Sequence, residues 1–304
     1  MHIPTKHAVL ALGLAGALVF GAAACGSSGG SDGSSTTAAT STSKDAKIAA
    51  MVPAKVADAG TLTVAADASY APNEFFDTDN KTVIGMDADL AQAIGDVLGL
   101  KVVVKNAGFD TIIPALGNRY DIGMSSFTDT LERQKTVDFV DYFSAGTSFY
   151  VPAGKNADLT TLDSLCGHTV GVEKGTTQLD DATAQSKKCT AAGNKAVTVS
   201  SFPDQSGANT ALASGRVDVV MADSPVAAYA VKQSNGKFDL GSKAYGEAPY
   251  GIAIPKSSDY AGLDKAIQAA LQQLKSNGTY DKIMKQWGVE SGEVSSFPIN
   301  GGTS

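Results

Sequence analysis

Histidine is nearly missing from this chain: three occur in 304 residues, and two of them, His2 and His7, stand among the first eight. An imidazole-based metal centre or a Ser-His-Asp triad would rest on His168 alone. Set between Gly167 and a strand start, His168 reads as an exposed turn residue. No Gly-x4-Gly-Lys-Ser/Thr loop occurs, so the chain carries no P-loop for hydrolysing ATP. Basic residues are in deficit, 24 Lys and Arg against 31 Asp and Glu, for a formal net charge of −7. Nucleic acid, which calls for clustered Lys and Arg, is not an expected partner. After residue 24 no apolar run is long enough to span a bilayer. No short tandem repeat is visible, which argues against a solenoid. Nothing calls for a cofactor.

The first residues carry an address. Lys6 precedes an apolar run from Ala8 to Ala24 that ends Ala22-Ala23-Ala24-Cys25, the pattern of a lipoprotein signal peptide over residues 1–24. Its 17 residues, rich in Ala and Gly, fall short of the ~20 of a spanning helix, the alternative reading. Cleavage would leave Cys25 first, its thiol carrying diacylglycerol, with 280 residues and a charge of 23 minus 31, or −8, once Lys6 is gone. Gly26–Ser43 is nearly all Gly, Ser, Thr and Ala, too poor in apolar groups to order itself. Residues 25–45 therefore read as lipidated cysteine plus tether, with a reach of roughly 20–25 Å. The remaining cysteines, Cys166 and Cys189, are an even pair in a chain sent to an oxidising compartment, and a disulfide is expected. It would add roughly 3 kcal/mol; two buried free thiols are the alternative.

The body alternates strand-like and helix-like stretches. Thr61–Ala66 reads as a strand; Met86, Leu90, Ile94 and Val97 recur at helical spacing before Gly99. Lys101–Lys105 is strand-like, Asp110 can open a short helix to Ala115, and Asp121–Ser125 is strand-like again. The rhythm resumes with strands at Thr169–Glu173, Val197–Ser200 and Val217–Ala222 and helices at Ser206–Ser214 and Pro225–Lys232. The fold class is α/β, in two similar halves.

Seven segments in order carry a resemblance. They are Asp67-Ala-Ser-Tyr70-Ala-Pro72; Gly85-Met86-Asp87-Ala-Asp89-Leu90; Phe109-Asp110-Thr-Ile-Ile-Pro114-Ala-Leu116; Met124-Ser125-Ser126-Phe127-Thr128-Asp129-Thr130-Leu131-Glu132-Arg133; Gly171-Val-Glu173-Lys174-Gly175-Thr176-Thr177; Gly215-Arg216-Val217-Asp218; and Gly278-Thr279-Tyr280-Asp281-Lys282-Ile283. Over about residues 58 to 290 the chain resembles the polar amino-acid-binding proteins of ABC importers, solute-binding protein family 3, in their actinobacterial lipoprotein form. The family pattern has Leu where Ala22 stands and usually Phe where Asn73 stands. The resemblance implies a two-lobed, type II periplasmic-binding-protein-like fold, each lobe a sheet flanked by helices, with two hinge crossings. The expected lobes are 46–150 plus 246–290, and 151–245, with hinges near Tyr150 and Tyr245–Tyr250 and a tail at 291–304. It also implies a free amino acid as ligand, permease and ATPase subunits as partners, a monomer, and a place on the outer face of the cell membrane.

A free amino acid is a zwitterion, and closing a cleft on it is tolerable only if both charges find partners. Arg133 stands where the family puts the arginine that grips the α-carboxylate, and its planar fork suits that task. Backbone N–H groups of Thr128 and Thr177 would complete the cage, Thr176 and Thr177 opening a helix. Asp223 matches the acceptor of the α-ammonium, with Ser125 or Ser126 adding an oxygen. Tyr70 and Phe109 match the walls of the side-chain pocket, and Phe127, within the Ser-Ser-Phe-Thr stretch, is counted with the ligand-binding residues. Asp67 and Glu173 bear on the side chain, because two acids in a closing cleft favour a cationic ligand; glutamine, glutamate or another polar amino acid remains the alternative. Asp223 as a helix cap, Glu173 paired with Lys174, and Arg133 as a solvated helix charge are the plain structural readings. Two other classes stay open: a dehydratase on the same scaffold, in which Glu173 with a raised pKa in an apolar pocket protonates a leaving hydroxyl, and a ligand sensor.

Overall fold

A computed structural model describes residues 43–303. The expected signal, Cys25 and most of the tether lie outside the described residues.

Two short helices, α1 (Ala46–Ala49) and α2 (Ala54–Ala59), lead into β1 (Thr61–Ala66). Next come β2 (Ser69–Tyr70), β3 (Glu74–Phe76), β4 (Val83–Ile84), α3 (Met86–Leu98), β5 (Lys101–Asn106), α4 (Phe109–Ala115), β6 (Ile122–Gly123), α5 (Leu131–Gln134) and the long β7 (Val137–Pro152). The second half runs β8 (Thr169–Glu173), α6 (Thr177–Ala191), β9 (Thr198–Phe202), α7 (Gln205–Ala213), β10 (Val219–Asp223), α8 (Ser224–Gln233), β11 (Phe238–Leu240) and β12 (Tyr245–Pro255). Two helices, α9 (Leu263–Ser276) and α10 (Thr279–Trp287), follow.

Local sequence explains the main elements. In α3 the residues spaced at helical period, Met86, Leu90, Ile94 and Val97, are all fully buried. Asp87 and Asp89 in its first turn complement the helix dipole, and Gly99 ends it at φ 71°, a left-handed cap that suits glycine. β6 is shorter than the Asp121–Ser125 expectation because the chain turns at Ser126, whose φ is +52°. The other expected strands and helices are present with ends moved by one or two residues.

The main sheet runs in the order β5-β1-β6-β12-β7-β10-β8-β9, with β11 paired to β7; β2, β3 and β4 form a small sheet of their own. Parallel pairs (β1 with β5 and β6, β8 with β9 and β10) make up each half. The antiparallel strands β7 and β12, 16 and 11 residues long, pass from one half to the other, far beyond the ~5–6 residues of an ordinary strand. Their pairing slips at Tyr245/Ala248 and again at Tyr250/Gly251, irregularities that bend and twist a ribbon.

Each half buries its own core. In the first, Leu62, Val64, Leu90, Ile94, Ile267 and Leu271 pack sheet against α3 and α9. In the second, alternate residues serve opposite faces: Phe149, Val151, Val219 and Met221 on one, Tyr150, Val220 and Ala222 on the other. Cys166 and Cys189 form the expected disulfide, Cα atoms 5.6 Å apart, within the first of these faces. His168 is a half-exposed turn residue with Nδ1 3.7 Å from Asp218.

Candidate functional site

Four loops leave the carboxyl ends of parallel strands and converge between the halves, where open α/β sheets place ligands. Asp67 follows β1, Ser125 and Ser126 follow β6, Glu173 ends β8 and Asp223 ends β10. Between them lies a narrow, partly open pocket with almost no room for a ligand as it stands. Tyr70, Phe109, Ser126, Thr128 and Arg133 line it from the first half, and Thr176, Thr177, Gln178 and Asp223 from the second. A larger open groove that includes Phe75, Tyr229 and Phe238 has no charged residue in its lining and offers a zwitterion nothing.

Arg133 projects from α5, which Thr130 caps by accepting the Arg133 N–H. Its Nη1 donates to the Thr128 carbonyl (2.8 Å) and its Nη2 to the Gly175 carbonyl across the cleft (3.0 Å). The guanidinium carbon sits 5.3 Å from the Phe109 ring centre and 5.5 Å from that of Phe127, cation–π distances. Phe127 thus backs the arginine rather than lining the cavity. Burial lowers the Arg133 pKa, and Asp223 is the foremost charge opposing the shift. Arg133 is therefore not a solvated helix charge.

Asp223 precedes α8 but makes no capping bond. It accepts instead from Gln178 Nε2 (2.7 Å), which also donates to Thr147 Oγ1 (2.8 Å). Burial pushes the Asp223 carboxyl up to about 6, against the help of Gln178 and Arg133. Opposite it, α6 begins at Thr177. Thr176 caps that helix, accepting the Leu179 N–H (3.2 Å) and donating to the Glu173 carbonyl (2.8 Å), while the first N–H groups of a helix have no intrahelical acceptor.

Two further buried acids, Asp67 and Glu173, are not among the residues that line the pocket. Asp67 accepts from the Phe109 N–H (3.0 Å) and the Ser69 hydroxyl (2.7 Å). Glu173, 1 % exposed, has no hydrogen bond to either carboxyl oxygen; it and the equally unpartnered Tyr70 hydroxyl face one another without a well-formed bond. Burial, then Asp67, push Glu173 up to about 9. Lys174 is not its partner, since that ammonium reaches Asp110 at 2.8 Å. The dehydratase expectation thus meets its first condition, a raised carboxyl, but not its second, because Asp67 keeps the neighbourhood polar.

Ser125 needs a correction. Its hydroxyl accepts the Asp67 N–H (2.8 Å) and donates to Glu74 (3.0 Å) instead of lining the cavity. Ser126 lines it, held in its left-handed turn by Asp87 on its N–H (3.1 Å) and by Glu74 and Asn73 on its hydroxyl (3.1 and 2.9 Å). Asn73, where the resemblance would put Phe, is this buried donor. Gln178, Glu74 and Asp87 are site-building residues that sequence reasoning passed over. For Gln178 a signal was there: it is the second residue of a helix that opens at the cavity.

The family model for bacterial extracellular solute-binding proteins, family 3, matches residues 62–290. The chain belongs to that family. It is 37 % identical over 256 residues to the arginine-binding protein ArgT of Corynebacterium glutamicum, covering 84 % of this chain and 83 % of that protein. It is 34 % identical over 209 residues to the ABC transporter glutamine-binding protein GlnH of Bacillus subtilis, covering 67 % and 72 %. A solved ancestral arginine-binding protein bound to glutamine superposes with a TM-score of 0.68 at 40 % identity, covering 76 % of this chain and 99 % of that one. The fold is thus the two-lobed, type II periplasmic-binding-protein architecture, and as a family 3 solute-binding protein the chain is exported and is a binder rather than an enzyme.

Proposed function

We propose that this family 3 protein captures a free amino acid between its lobes and delivers it to the permease and ATPase subunits of an ABC importer. One observation carries the reading: Arg133 and Asp223, opposite charges from opposite lobes, line the same narrow pocket beside the opening of α6. That is the complement of a zwitterion whose two charges leave water together. The buried, unpartnered Glu173 beside Asp67 favours a ligand with a cationic side chain, such as arginine or lysine, over glutamine or another polar amino acid. The names of the relatives, arginine-binding and glutamine-binding, support a free amino acid and divide on its side chain.

The lobes are proposed as residues 46–150 with 246–290, and 151–245, hinged where β7 and β12 slip in register. The protein is proposed to act as a monomer, tethered through a diacylated Cys25. A test begins with denaturing freshly purified protein and identifying any released ligand by mass spectrometry. Calorimetric titration with a panel of amino acids then ranks them, with arginine or lysine expected to bind more tightly than glutamine. If no free amino acid binds, the proposal fails; turnover of arogenate or prephenate would favour the dehydratase.

A further inference from the structure

Residues 297–302 lie along β7 as an added strap. Phe297 is buried against Tyr280, ring centres 5.4 Å apart. The Asp141 N–H donates to the Pro298 carbonyl (2.9 Å), and Ile299 bridges Val140. Asn300 donates its N–H to the Phe139 carbonyl (3.0 Å), accepts the Phe139 N–H on Oδ1 (2.8 Å) and donates Nδ2 to Asp138 (2.9 Å).

The strap then closes on Asp129, which is fully buried. Gly302 donates its N–H to Asp129 Oδ2 (2.8 Å), and Gln134 Nε2 donates both to Asp129 Oδ1 (2.9 Å) and to the Gly302 carbonyl (3.0 Å). A Cβ on Gly302 would run into the Asp129 backbone, and one on Gly301 into the Asp141 carboxyl. Only glycines allow so close an approach. The Asp141 carboxyl, 2 % exposed, makes no well-formed hydrogen bond. Burial and the neighbouring Asp129 push it up to about 8, so at neutral pH the Asp141 carboxyl mostly holds its proton.

Asp129 and Gln134 bracket the α-carboxylate machinery. Thr128, whose carbonyl receives Arg133 Nη1, immediately precedes Asp129, and Arg133 immediately precedes Gln134. We infer that the strap is a positioning element for the ligand's carboxylate: by gripping Asp129 and Gln134 through Gly302, it sets the Thr128 N–H and the Arg133 guanidinium relative to one another. This rests on the proposed role of Arg133. Asp129, Gln134, Gly301 and Gly302 act through Thr128 and Arg133 and touch no ligand themselves.

The test uses the full chain carrying Gly302→Ala or Gln134→Leu, each made alone and again in an Arg133→Lys background. Calorimetry with arginine and with glutamine gives the affinity, and thermal melting gives the stability. Each single variant should bind about ten- to hundredfold more weakly, the scale of a binding group displaced by about 1 Å. In the Arg133→Lys background the same changes should cost much less, because the group being positioned is already compromised. Gln134→Leu leaves both glycines in place, so the test survives if Gly302→Ala fails to fold. Unchanged affinity with a lowered melting temperature would make the strap a stability element only and overturn the inference. A loss undiminished in the Arg133→Lys background would overturn it as well. Should Arg133→Lys alone bind like the unaltered protein, the proposed α-carboxylate assignment itself would fall, a result distinct from failure of the strap.

Discussion

Arg133 and Asp223 each hold one charge of a proposed zwitterionic ligand, so removing either leaves its counterpart buried and alone. Arg133→Ala and Asp223→Ala should each weaken binding by roughly 2–5 kcal/mol, which is about 30-fold to several thousand-fold in affinity, with the fold intact by circular dichroism. Near-normal calorimetric binding by Arg133→Ala would sink the carboxylate assignment. Glu173 leads to a different measurement. At pH 7 its carboxyl, pushed up to about 9, carries a proton, and a cationic side chain docked beside it would drive that proton off. Arginine titrations in buffers of different ionisation enthalpy should therefore show close to one proton released at pH 7 and none for Glu173→Gln. Affinity for arginine should rise with pH up to about 9, where the proton is already gone. Without ligand the sign is opposite for stability: the folded carboxyl holds its proton more tightly than the unfolded one. Its contribution to stability is therefore lost as pH climbs from about 4.5 toward about 9.

At the scale of elements, α6 serves two ends. Its first turn faces the cavity, and its last turn carries Cys189, three turns away, in the disulfide to Cys166. Reduction should lower the melting temperature, with a stability loss of roughly 3 kcal/mol on the chain-entropy model. It should leave amino-acid affinity within a fewfold, and a large affinity loss on titrating the reduced protein would show that the helix opening depends on the bridge. The same helix shows how much was legible beforehand. Thr176 and Thr177 stand out in the sequence as a Gly-Thr-Thr opening, and α3 is readable from Met86, Leu90, Ile94 and the Gly99 cap, because helix periodicity and capping are local. The Glu74–Ser125–Ser126–Asp87 network is not readable, since Glu74 meets Ser125 across 51 positions and nothing in Ala-Pro-Asn-Glu-Phe marks the acid as buried. Ser125 and Ser126 are adjacent and alike, and only the left-handed turn at Ser126 decides which one lines the cavity.

Across the whole molecule, the two halves touch through Arg133 on Gly175, Lys174 on Asp110, the Gln205 N–H on the Ser69 hydroxyl (3.1 Å), and Phe75 on Tyr229, ring centres 6.1 Å apart. The Lys174 side chain is 65 % exposed, so its ion pair contributes at most about 1 kcal/mol. Lys174→Ala should cost no more than about fivefold in affinity, and it should shift small-angle scattering of ligand-free protein toward a larger radius of gyration. Scattering identical to the unaltered protein would remove that pair from closure. The strands that join the halves have a consequence of another kind. β7 and β12 are hydrogen-bonded to each other for most of their length and to strands of both halves, and the chain leaves the first half and returns to it through them. Melting either half would strip partners from strands that the other still needs. Heating should therefore give a single endotherm whose calorimetric and van't Hoff enthalpies agree, although halves that bury most of their apolar residues separately would ordinarily allow two.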